Sequence, residues 1–322
     1  MIVMIVSSPG DVHAQAVMEA LSDSGVDIEL LDLSEFPTRI SLSMEFENSK
    51  HRFCLHRTGC AKLDLLTISA AWWRRPQPFR FPAALTETAH RRFALSEAAT
   101  AFAGLYQSMD AFWVNDPRRD AAAQHKPWQL ALAQQIGLEI PVTLMTSDPE
   151  EARDFWMRFE DCIIYKPFLS LPEAWRETRR LRAEEIPLSQ SVRTTPVIFQ
   201  RYVDAIADVR ATIVGDDIFA ASTDVREGEY PTDVRFNPDA RFEFHLLPTD
   251  VQDALRSMMR RMGLEYGAVD LRLTPEGTYV FLEINPAGQF LWIEIATGQK
   301  IASSLAAHLV KGAKMRAELR TN

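Results

Sequence analysis

The chain has 322 residues, 47% of them hydrophobic and 25% charged, with a formal net charge of −9. This composition is ordinary for a globular protein of two domains, and the acidic balance argues against a nucleic-acid partner held by general electrostatics. No apolar run approaches the roughly 18 to 20 residues of a membrane span, there is no signal-peptide pattern, and the three cysteines make no disulfide framework. We therefore expect a cytoplasmic protein with no membrane or nucleic-acid partner, acting on a small molecule or a peptide.

Strands and helices alternate in the first third of the chain. A strand over residues 1–7, a helix over 11–24 and a strand over 28–31 predict a βαβ beginning. The segment before this helix stands where a dinucleotide-binding turn would lie, but it holds one glycine instead of three, so Asp11 is interpreted as a helix cap. The further elements predicted in this region are strands at 40–46, 53–57, 66–74 and 111–114 and a helix at 85–107.

The step from Asp116 to Pro117 marks a predicted domain boundary, because a residue before proline favours extended or turn backbone. The chain is thereby divided into an N-terminal domain at 1–115, a central region at 116–195 and a C-terminal region at 196–322. The central region is predicted to hold a helix ended by Gly137, a capped helix after Asp148, and strands at 140–144 and 162–166. The C-terminal region is predicted to hold strands at 197–203, 209–214 and 218–223 and a helix at 251–262.

Two further strands, at 267–273 and 279–286, form the last predicted hairpin. The loop 274–277 has proline second and glycine fourth, which indicates a four-residue connection on a type I turn. This loop pairs Leu273 with Thr278 and sets Asp270 opposite Phe281. Side chains two apart on a strand share a face, so a slip of one residue would turn Asp270 to the other face.

In this register one face of the hairpin carries Asp270, Arg272, Glu283 and Asn285. Carboxylate and amide oxygens are hard ligands, and they suit octahedral Mg²⁺ bridged to phosphates better than zinc or iron. The alternative is that the three oxygen-bearing residues merely end strands at a solvated sheet edge.

Isolated basic residues elsewhere in the sequence could neutralise a triphosphate held by such a metal. Lysine acts as a point charge on phosphate, whereas the arginine fork can also grip a carboxylate or a developing oxyanion. Each of them, taken singly, is also compatible with a solvated or ion-paired residue. The candidates are Lys126 in the first helix of the central region, Lys166 at the end of an apolar strand, Arg210 on a strand and Arg272.

A series of short motifs, taken in chain order, resembles the ATP-grasp fold. They are a lysine before W-Q-L-A-L-A, then I-P-V-T, I-I-Y-K-P, V-I-F-Q-R-Y-V, D-V-R, V-D-L-R and F-L-E-I-N-P-A-G-Q-F. The run from W-W-R-R-P at 72–76 to G-Q-F-L-W-I-E at 288–294 resembles, more narrowly, the graspetide or microviridin type of ATP-grasp ligase, which cross-links ribosomally made precursor peptides. The resemblance covers nearly the whole chain. It implies an α/β (α+β) fold, in which a pre-ATP-grasp βαβ domain precedes a two-lobed ATP-grasp fold with an antiparallel C-terminal sheet.

The resemblance also implies an activity with ATP and Mg²⁺ as cofactors. A substrate carboxylate would attack the γ-phosphate of ATP to give an acyl phosphate, which a hydroxyl or an amine then converts to an ester or amide. The implied partner is a precursor peptide made of leader and core, and a homodimer is expected from the family. Such chemistry needs positioning and charge neutralisation more than a protein nucleophile.

Site roles are carried over from the family motif by motif. The resemblance assigns catalysis to Arg210 and Arg272, metal binding to Asp270, Glu283 and Asn285, phosphate contacts to Lys126 and Lys166, and the adenine-reading hinge to Gln200, Tyr202 and Val203. Many relatives have an acidic residue where Arg201 stands, which leaves Asp204 and Asp208 as candidates for the ribose, with Asp208 preferred.

Four segments have open assignments. No glycine occurs between Gly137 and Gly215, so the lid over the triphosphate is expected at 168–195. The basic stretch 175–182 could grip an acidic peptide, cover ATP or form a solvated helical face. The D-V-R at 233–235 resembles a D-W-R element of the peptide-modifying relatives, although a structural ion pair fits as well. The two tryptophans of the W-W-R-R-P motif at 72–76 are expected to pack between domains, and a neighbouring arginine is expected to contact the other domain or the substrate.

Two other functions compete with peptide cross-linking. One is an ATP-grasp ligase that joins amino acids or other small molecules, or adds residues to a protein terminus. The other is a regulatory protein that binds nucleotide without turnover, against which the complete metal ligands and both arginines count.

Overall fold

The computed structural model describes residues 1–59, 61–159, 162–169, 179–225 and 241–321. The motif at 233–235, residues 170–178 of the expected lid and the first half of the basic stretch 175–182 lie outside the described residues. Within the described ranges, no helix is both long and apolar enough to cross a bilayer.

The N-terminal domain is built on a four-stranded parallel sheet in the order β2-β1-β6-β7. Its first strand is buried on both faces, as expected for a parallel strand covered on both sides. Asp11 caps the first helix by accepting a hydrogen bond from His13 N–H at 3.0 Å, as predicted. The elements are β1 (Ile2–Val6), α1 (Val12–Leu21), β2 (Asp27–Leu31), β6 (Ile68–Trp73), α2 (Thr88–Ser108) and β7 (Phe112–Val114).

An antiparallel sheet is inserted between β2 and β6. It consists of β3 (Ile40–Glu47), β4 (Lys50–Arg57) and β5 (Lys62–Asp64). The predicted strand at 66–74 begins later, at Ile68, because residues 65–67 form a 3-10 turn capped by Asp64.

A four-stranded antiparallel sheet in the order β10-β9-β11-β8 joins the central region to β11, the first strand of the predicted C-terminal region. The helix predicted after the boundary is two helices, because Asp116 caps the first and the chain turns at His125 before the second. The strand predicted at 140–144 lies further along, after Pro141, which has no N–H for a ladder. The elements are α3 (Pro117–Ala123), α4 (Lys126–Gln135), β8 (Thr143–Thr146), α5 (Pro149–Phe159), β9 (Ile163–Lys166), β10 (Arg179–Arg180), a 3-10 segment (Ala183–Thr194) and β11 (Val197–Arg201).

A five-stranded antiparallel sheet in the order β14-β13-β12-β15-β16 forms the C-terminal lobe. One of its faces packs on α4 and α6 through a core that includes Val209, Leu271 and Phe281. Helix α8 returns to the N-terminal domain and packs on α1 and β6. The elements are β12 (Ala207–Val214), β13 (Asp217–Asp224), β14 (Glu243–Phe244), α6 (Thr249–Met262), β15 (Tyr266–Leu273), β16 (Tyr279–Asn285), α7 (Leu291–Thr297) and α8 (Ile301–Thr321). The predicted fold class is confirmed.

The predicted register of the last hairpin is wrong by one residue. The type I turn forms, with Gly277 N–H donating to Thr274 O at 3.0 Å, but Gly277 then takes a φ of +85° and adds one residue to the loop. Leu273 therefore pairs with Tyr279, not with Thr278.

A β-bulge further along the hairpin compensates for this slip. The pairing shifts between Asp270 and Leu271, so that Asp270 lies opposite Glu283 and Leu282 is the extra residue. Phe281 and Ile284, three residues apart, both reach the core, whereas unbroken alternation along the strand would place Leu282 on the same face as Ile284. Asp270 and Glu283 consequently share a face, as predicted, although the path to that arrangement differs.

Candidate active site

Charged side chains of both signs follow one face of the C-terminal sheet. The ladder sets Asp208 opposite Arg272, and Arg210 opposite Asp270, on β12 and β15, and Asp270 lies opposite Glu283 of β16. The other face of the same strands is apolar and buried. Alternation along the strands thus separates the core from a charged strip, which we define as Asp208, Arg210, Asp270, Arg272 and Glu283.

Arg210 and Asp270 form an ion pair at the centre of the charged strip. Arg210 Nη1 lies 2.6 Å from Asp270 Oδ1, and Nη2 donates to the Gln289 carbonyl at 3.3 Å. Arg210 Nε is buried and has no hydrogen-bond partner among the described residues. Burial opposes the charged form, but the carboxylates of Asp270 and Glu283 outweigh it and raise the pKa of Arg210.

Lys126, the first residue of α4, donates a hydrogen bond to Glu283. The neighbouring turn of the helix clamps β16: Ile284 N–H donates to Gln129 Oε1 at 3.1 Å, and Gln129 Nε2 donates to Ile284 O at 2.9 Å. Gln129 is 2% exposed and was not among the predicted site residues. An amide on an otherwise apolar helix face was the only signal in the sequence.

Arg272 contacts the segment that joins the two lobes. Its Nε lies 2.8 Å from Asp208 Oδ1, its Nη1 donates to the Val203 carbonyl at 2.8 Å, and its guanidinium lies 5.1 Å from the centre of the Tyr202 ring. Burial lowers the pKa of Arg272, but Asp208 and Tyr202 more than compensate, so the pKa is raised. The structure therefore brings four predicted residues together at the hinge, and Arg272 lies there and not with the pair of Arg210 and Asp270.

The loop after Asn285 is held by carbonyl contacts from several elements. Asn285 Oδ1 accepts from Ala287 N–H at 2.9 Å, so part of its side chain organises the loop itself. Arg74, 1% exposed, donates to the carbonyls of Ala287 at 2.6 Å and Gly288 at 3.0 Å, and Tyr266 OH donates to Gly288 O at 2.8 Å. The W-W-R-R-P motif thus supplies the arginine that reaches the other domain, one of the two roles expected for it.

Asn115 is a further anchor that the sequence did not reveal. Its side-chain nitrogen donates to Pro286 O at 3.0 Å and to Tyr266 O at 2.9 Å, and its oxygen accepts from the N–H groups of Glu265 and Tyr266. This residue stands at the predicted domain boundary and links it to the end of β16. In the sequence, Asn115 is only the last residue before the predicted boundary.

Lys166 and Gln200 lie on the same face of the hinge-side sheet. The register pairs Lys166 with Ile198, two residues from Gln200 on β11. The opposite face packs on α5 through Phe199 and Ile163. The two predicted nucleotide contacts on this sheet therefore face away from the α5 core.

The oxygen-bearing residues fit a magnesium site that is completed by phosphates. No group of three or more His, Cys, Asp or Glu residues that could hold a metal occurs in the described ranges. The predicted ligands Asp270, Glu283 and Asn285 would instead supply two carboxylates and one amide oxygen. Mg²⁺ in phosphate-transfer sites is commonly held by one or two carboxylates together with substrate phosphates. The donor set therefore matches the ion, with Lys126 and Arg210 occupying the carboxylates in its place.

A separate cavity of about 500 Å³ lies where the N-terminal domain meets the central region, between α2, α3 and the proline-containing segment after β6. Its walls include Trp73, Phe79, Phe102 and Tyr106. None of the eleven predicted site residues lines it, so the charged strip and this cavity are distinct features.

Two family models match the chain. The MvdD pre-ATP grasp domain matches residues 2–121. The RimK-like ATP-grasp domain matches residues 123–309, which is more than half of the chain.

Solved structures and protein relatives agree with these matches. The macrocyclase MdnC of Microcystis aeruginosa MRC, bound with the precursor peptide MdnA, has a TM-score of 0.86 and 27% identity and covers 96% of this chain and 99% of that chain. A RiPP-associated ATP-grasp ligase of Chryseobacterium gregarium, in complex with ADP and a leader and core peptide, has a TM-score of 0.87 and 25% identity and covers 96% of each chain. A probable alpha-L-glutamate ligase of Chromohalobacter salexigens is 25% identical over 215 residues, 65% of this chain and 70% of that protein. The chain therefore belongs to the RimK-like ATP-grasp family and begins with a domain of the MvdD pre-ATP-grasp type.

Proposed function

We propose that this protein is an ATP-dependent ligase that activates Asp or Glu side chains of a ribosomally made precursor peptide and forms ester or amide cross-links in it. The observation that carries the proposal is the charged strip together with Lys126 of α4, since Arg210–Asp270 and Lys126–Glu283 pair cations with the proposed metal ligands. The choice of substrate is supported by the likeness, over nearly the whole chain, to two ligases whose structures contain peptides. One is bound with a precursor peptide, and the other with ADP and a leader and core peptide.

The proposed reaction has two steps. A carboxylate oxygen of the peptide attacks the γ-phosphorus of ATP, the bond from that phosphorus to the bridging oxygen breaks, and ADP leaves. A serine or threonine hydroxyl, or a lysine amine, then attacks the acyl carbon; inorganic phosphate leaves and the nucleophile loses one proton. The net change in the peptide is the loss of one water for each bond formed.

Mg²⁺, when bound, would neutralise phosphate charge and polarise the transferred phosphoryl group. The residues proposed to hold it are Asp270, Glu283 and Asn285. Since two of these are ion-paired here, Lys126 and Arg210 would exchange carboxylate for phosphate or acyl-phosphate oxygens when nucleotide enters. Arginine is suited to the second of these ligands because its fork can grip two oxygens at once.

Charge balance supports this exchange. Three cations and three carboxylates offset one another around the charged strip, so the strip has no net charge of its own and Lys166 adds one positive charge to the proposed nucleotide site. The cations are Lys126, Arg210 and Arg272, and the carboxylates are Asp208, Asp270 and Glu283. Lys166, Gln200, Tyr202 and Val203 are proposed to line the nucleotide from the hinge-side sheet, with Asp208 at the ribose.

The further parts of the proposal concern organisation. We propose an N-terminal domain at 1–115, a central ATP-grasp subdomain at 116–195 and a C-terminal subdomain at 196–322. We also propose a homodimer that works in the cytoplasm.

A mass measurement tests the proposed function. The full chain is incubated with ATP, Mg²⁺ and a candidate precursor peptide rich in Thr, Ser, Asp and Glu, which is sought among the products of short neighbouring genes. Cross-linking predicts peptide-stimulated ADP release and a product lighter by one water per bond. The likeness to a probable alpha-L-glutamate ligase favours small-molecule ligation as the second candidate, which predicts turnover with amino acids and no change in peptide mass. ATP binding without ADP release in either mixture would contradict both.

A further inference from the structure

Thr143 and Gln200 lie directly opposite each other on β8 and β11. Gln200 is 1% exposed, and its register places it on the same face of the hinge-side sheet as Lys166. Gln200 therefore borders the proposed nucleotide site, because it shares a face with Lys166 and precedes the hinge that follows β11. Thr143 lies next to Gln200 on the neighbouring strand.

A chain of hydrogen bonds fixes which end of the Gln200 amide is available. The Thr143 hydroxyl donates its only proton to the Pro141 carbonyl at 2.7 Å, so its oxygen can act toward Gln200 only as an acceptor. Gln200 Nε2 donates to that oxygen at 3.0 Å. The amide nitrogen is therefore held at Thr143, and Oε1 is left as an acceptor.

Gln200 Oε1 has no hydrogen-bond donor among the described residues, although it is buried. A buried acceptor without a donor is costly, and such groups are uncommon in native proteins. The sheet offers this acceptor beside the hinge, where the base of a nucleotide is proposed to lie. Gln200 Oε1 can therefore accept a hydrogen bond from a donor group of a bound nucleotide.

We infer that Thr143 sets the base preference of this site by holding Gln200 Oε1 toward the 6-amino group of adenine. The inference rests on the proposed function, because it assigns a nucleotide to the cleft. Guanine carries a carbonyl at the same ring position, so it would face Oε1 acceptor to acceptor. Turning the amide over would not relieve this contact, because Oε1 would then meet the Thr143 oxygen, whose proton is already used by Pro141.

The inference identifies Thr143 as a positioning residue, and a pair of substitutions isolates its role. Thr143→Val keeps the shape of the side chain and removes the acceptor for Gln200 Nε2. Thr143→Ser keeps the acceptor and serves as the matched control. Gln200→Met removes the acceptor presented to the base while filling a similar volume.

The measurement is the dissociation constant of the full chain for three magnesium complexes: ATP, GTP and purine riboside triphosphate, which lacks the 6-amino group. The unsubstituted protein and Thr143→Ser are expected to prefer ATP over both others by roughly tenfold or more, the range for one unpartnered buried group. Thr143→Val is expected to lose most of the preference for ATP over GTP. Gln200→Met is expected to bind ATP and the purine analogue with similar affinity, and thermal melting checks that each variant is folded.

Two results would overturn the inference. One is equal binding of ATP and the purine analogue by the unsubstituted protein; the other is an unchanged ATP-to-GTP ratio in folded Thr143→Val. Either result, with peptide cross-linking intact, would leave the proposed function standing. Selective ATP binding without any ligase activity would support the inference and contradict the proposed function. Failure to bind any nucleotide would contradict the inference and the proposed function alike.

Discussion

Lys126 and Glu283 are joined by a hydrogen bond where the start of α4 meets β16. Both side chains are partly exposed, at 21% and 32%, so the pair can open without disturbing the core. In the proposed metal site, a divalent cation bound to Glu283 would displace the lysine, and the released ammonium could then contact the phosphates of the nucleotide. The contact therefore holds the carboxylate in position while its proposed ligand is absent.

Glu283→Gln is expected to lower ATP turnover by at least about 100-fold, the loss typical of removing one electrostatic group that acts in the transition state. The fold should persist, because the residue lies at the surface of the sheet. Peptide-stimulated ADP release measures the effect, and the Mg²⁺ concentration needed for half-maximal rate should rise as well. Glu276→Gln, on the exposed hairpin loop, is the control, and near-normal turnover in the Glu283 variant would refute the metal assignment.

Gly288→Ala is expected to impair activity by displacing Arg210. A Cβ on Gly288 would lie 2.4 Å from Ala268 Cβ and 2.9 Å from Arg210 Nη2, too close for either neighbour to remain in place. The steady-state rate should fall clearly, whereas the melting temperature should fall only slightly. Gly104→Ala on α2, where a Cβ meets nothing within 4 Å, should leave activity unchanged and stabilise its helix by roughly 0.5 to 1 kcal/mol. Equal activity in the two variants would show that the loop accommodates a methyl group.

His13 makes the stability of the protein depend on pH. Burial, aided by Arg74, lowers its pKa from 6.5 to about 4, and its Nδ1 accepts from the N–H groups of Phe290 and Leu291 at 3.4 and 3.3 Å. The folded state thus favours the neutral imidazole. The contribution of His13 to the free energy of unfolding is therefore complete above pH 6.5 and is lost as the pH falls toward 4.

Urea unfolding at pH 7 and pH 5 tests this dependence. The free energy of unfolding should drop by roughly 2 kcal/mol from this residue alone, and His13→Gln should show a smaller drop. His56→Gln, at an exposed position on β4, should behave like the unsubstituted protein. The same pH dependence in all three proteins would mean that His13 is not the titrating group.

Arg74→Met is expected to destabilise the protein by about 3 kcal/mol or more, because it leaves Asp11 buried without its partner. The two side chains are 1% and 5% exposed and lie 3.1 Å apart. Adding Asp11→Asn should recover part of the loss, since the stranded charge is then gone. Arg52→Met, which breaks an exposed pair with Glu45, should cost roughly 0 to 1 kcal/mol. Additive losses in the double variant would argue against coupling between Arg74 and Asp11.

The sequence predicted the elements of the fold well where a periodic pattern or a cap was strong. Asp11 caps the start of α1 as predicted, and α6 ends at Met262 as predicted, followed by Gly263 in a left-handed conformation at φ +67°. The same reasoning failed at the last hairpin, because the extra residue at Gly277 and the bulge at Leu282 have no mark in a simple two-residue alternation. Local patterns fix element type more firmly than they fix pairing.

The candidate site was predictable to the extent that its residues lie within family motifs. Motifs gave Arg210, Asp270 and Glu283, and the structure joins them on one face. Residues that act through backbone carbonyls, such as Gln129 and Asn115, were missed because an amide that clamps a distant strand looks like any other polar residue in the sequence. Such contacts exist only once the fold has brought the segments together.

The bulge at Leu282 also bears on how this hairpin can change in length. Deleting Leu282 would leave an uninterrupted ladder with Asp270 still across from Glu283, so the strand has one residue that it can lose without moving the carboxylates. Deleting Ile284 instead would draw Asn285 into the apolar layer and leave the core short of a side chain. We expect natural insertions and deletions in such hairpins to collect between the turn and the bulge, and to stop short of the carboxylate pair.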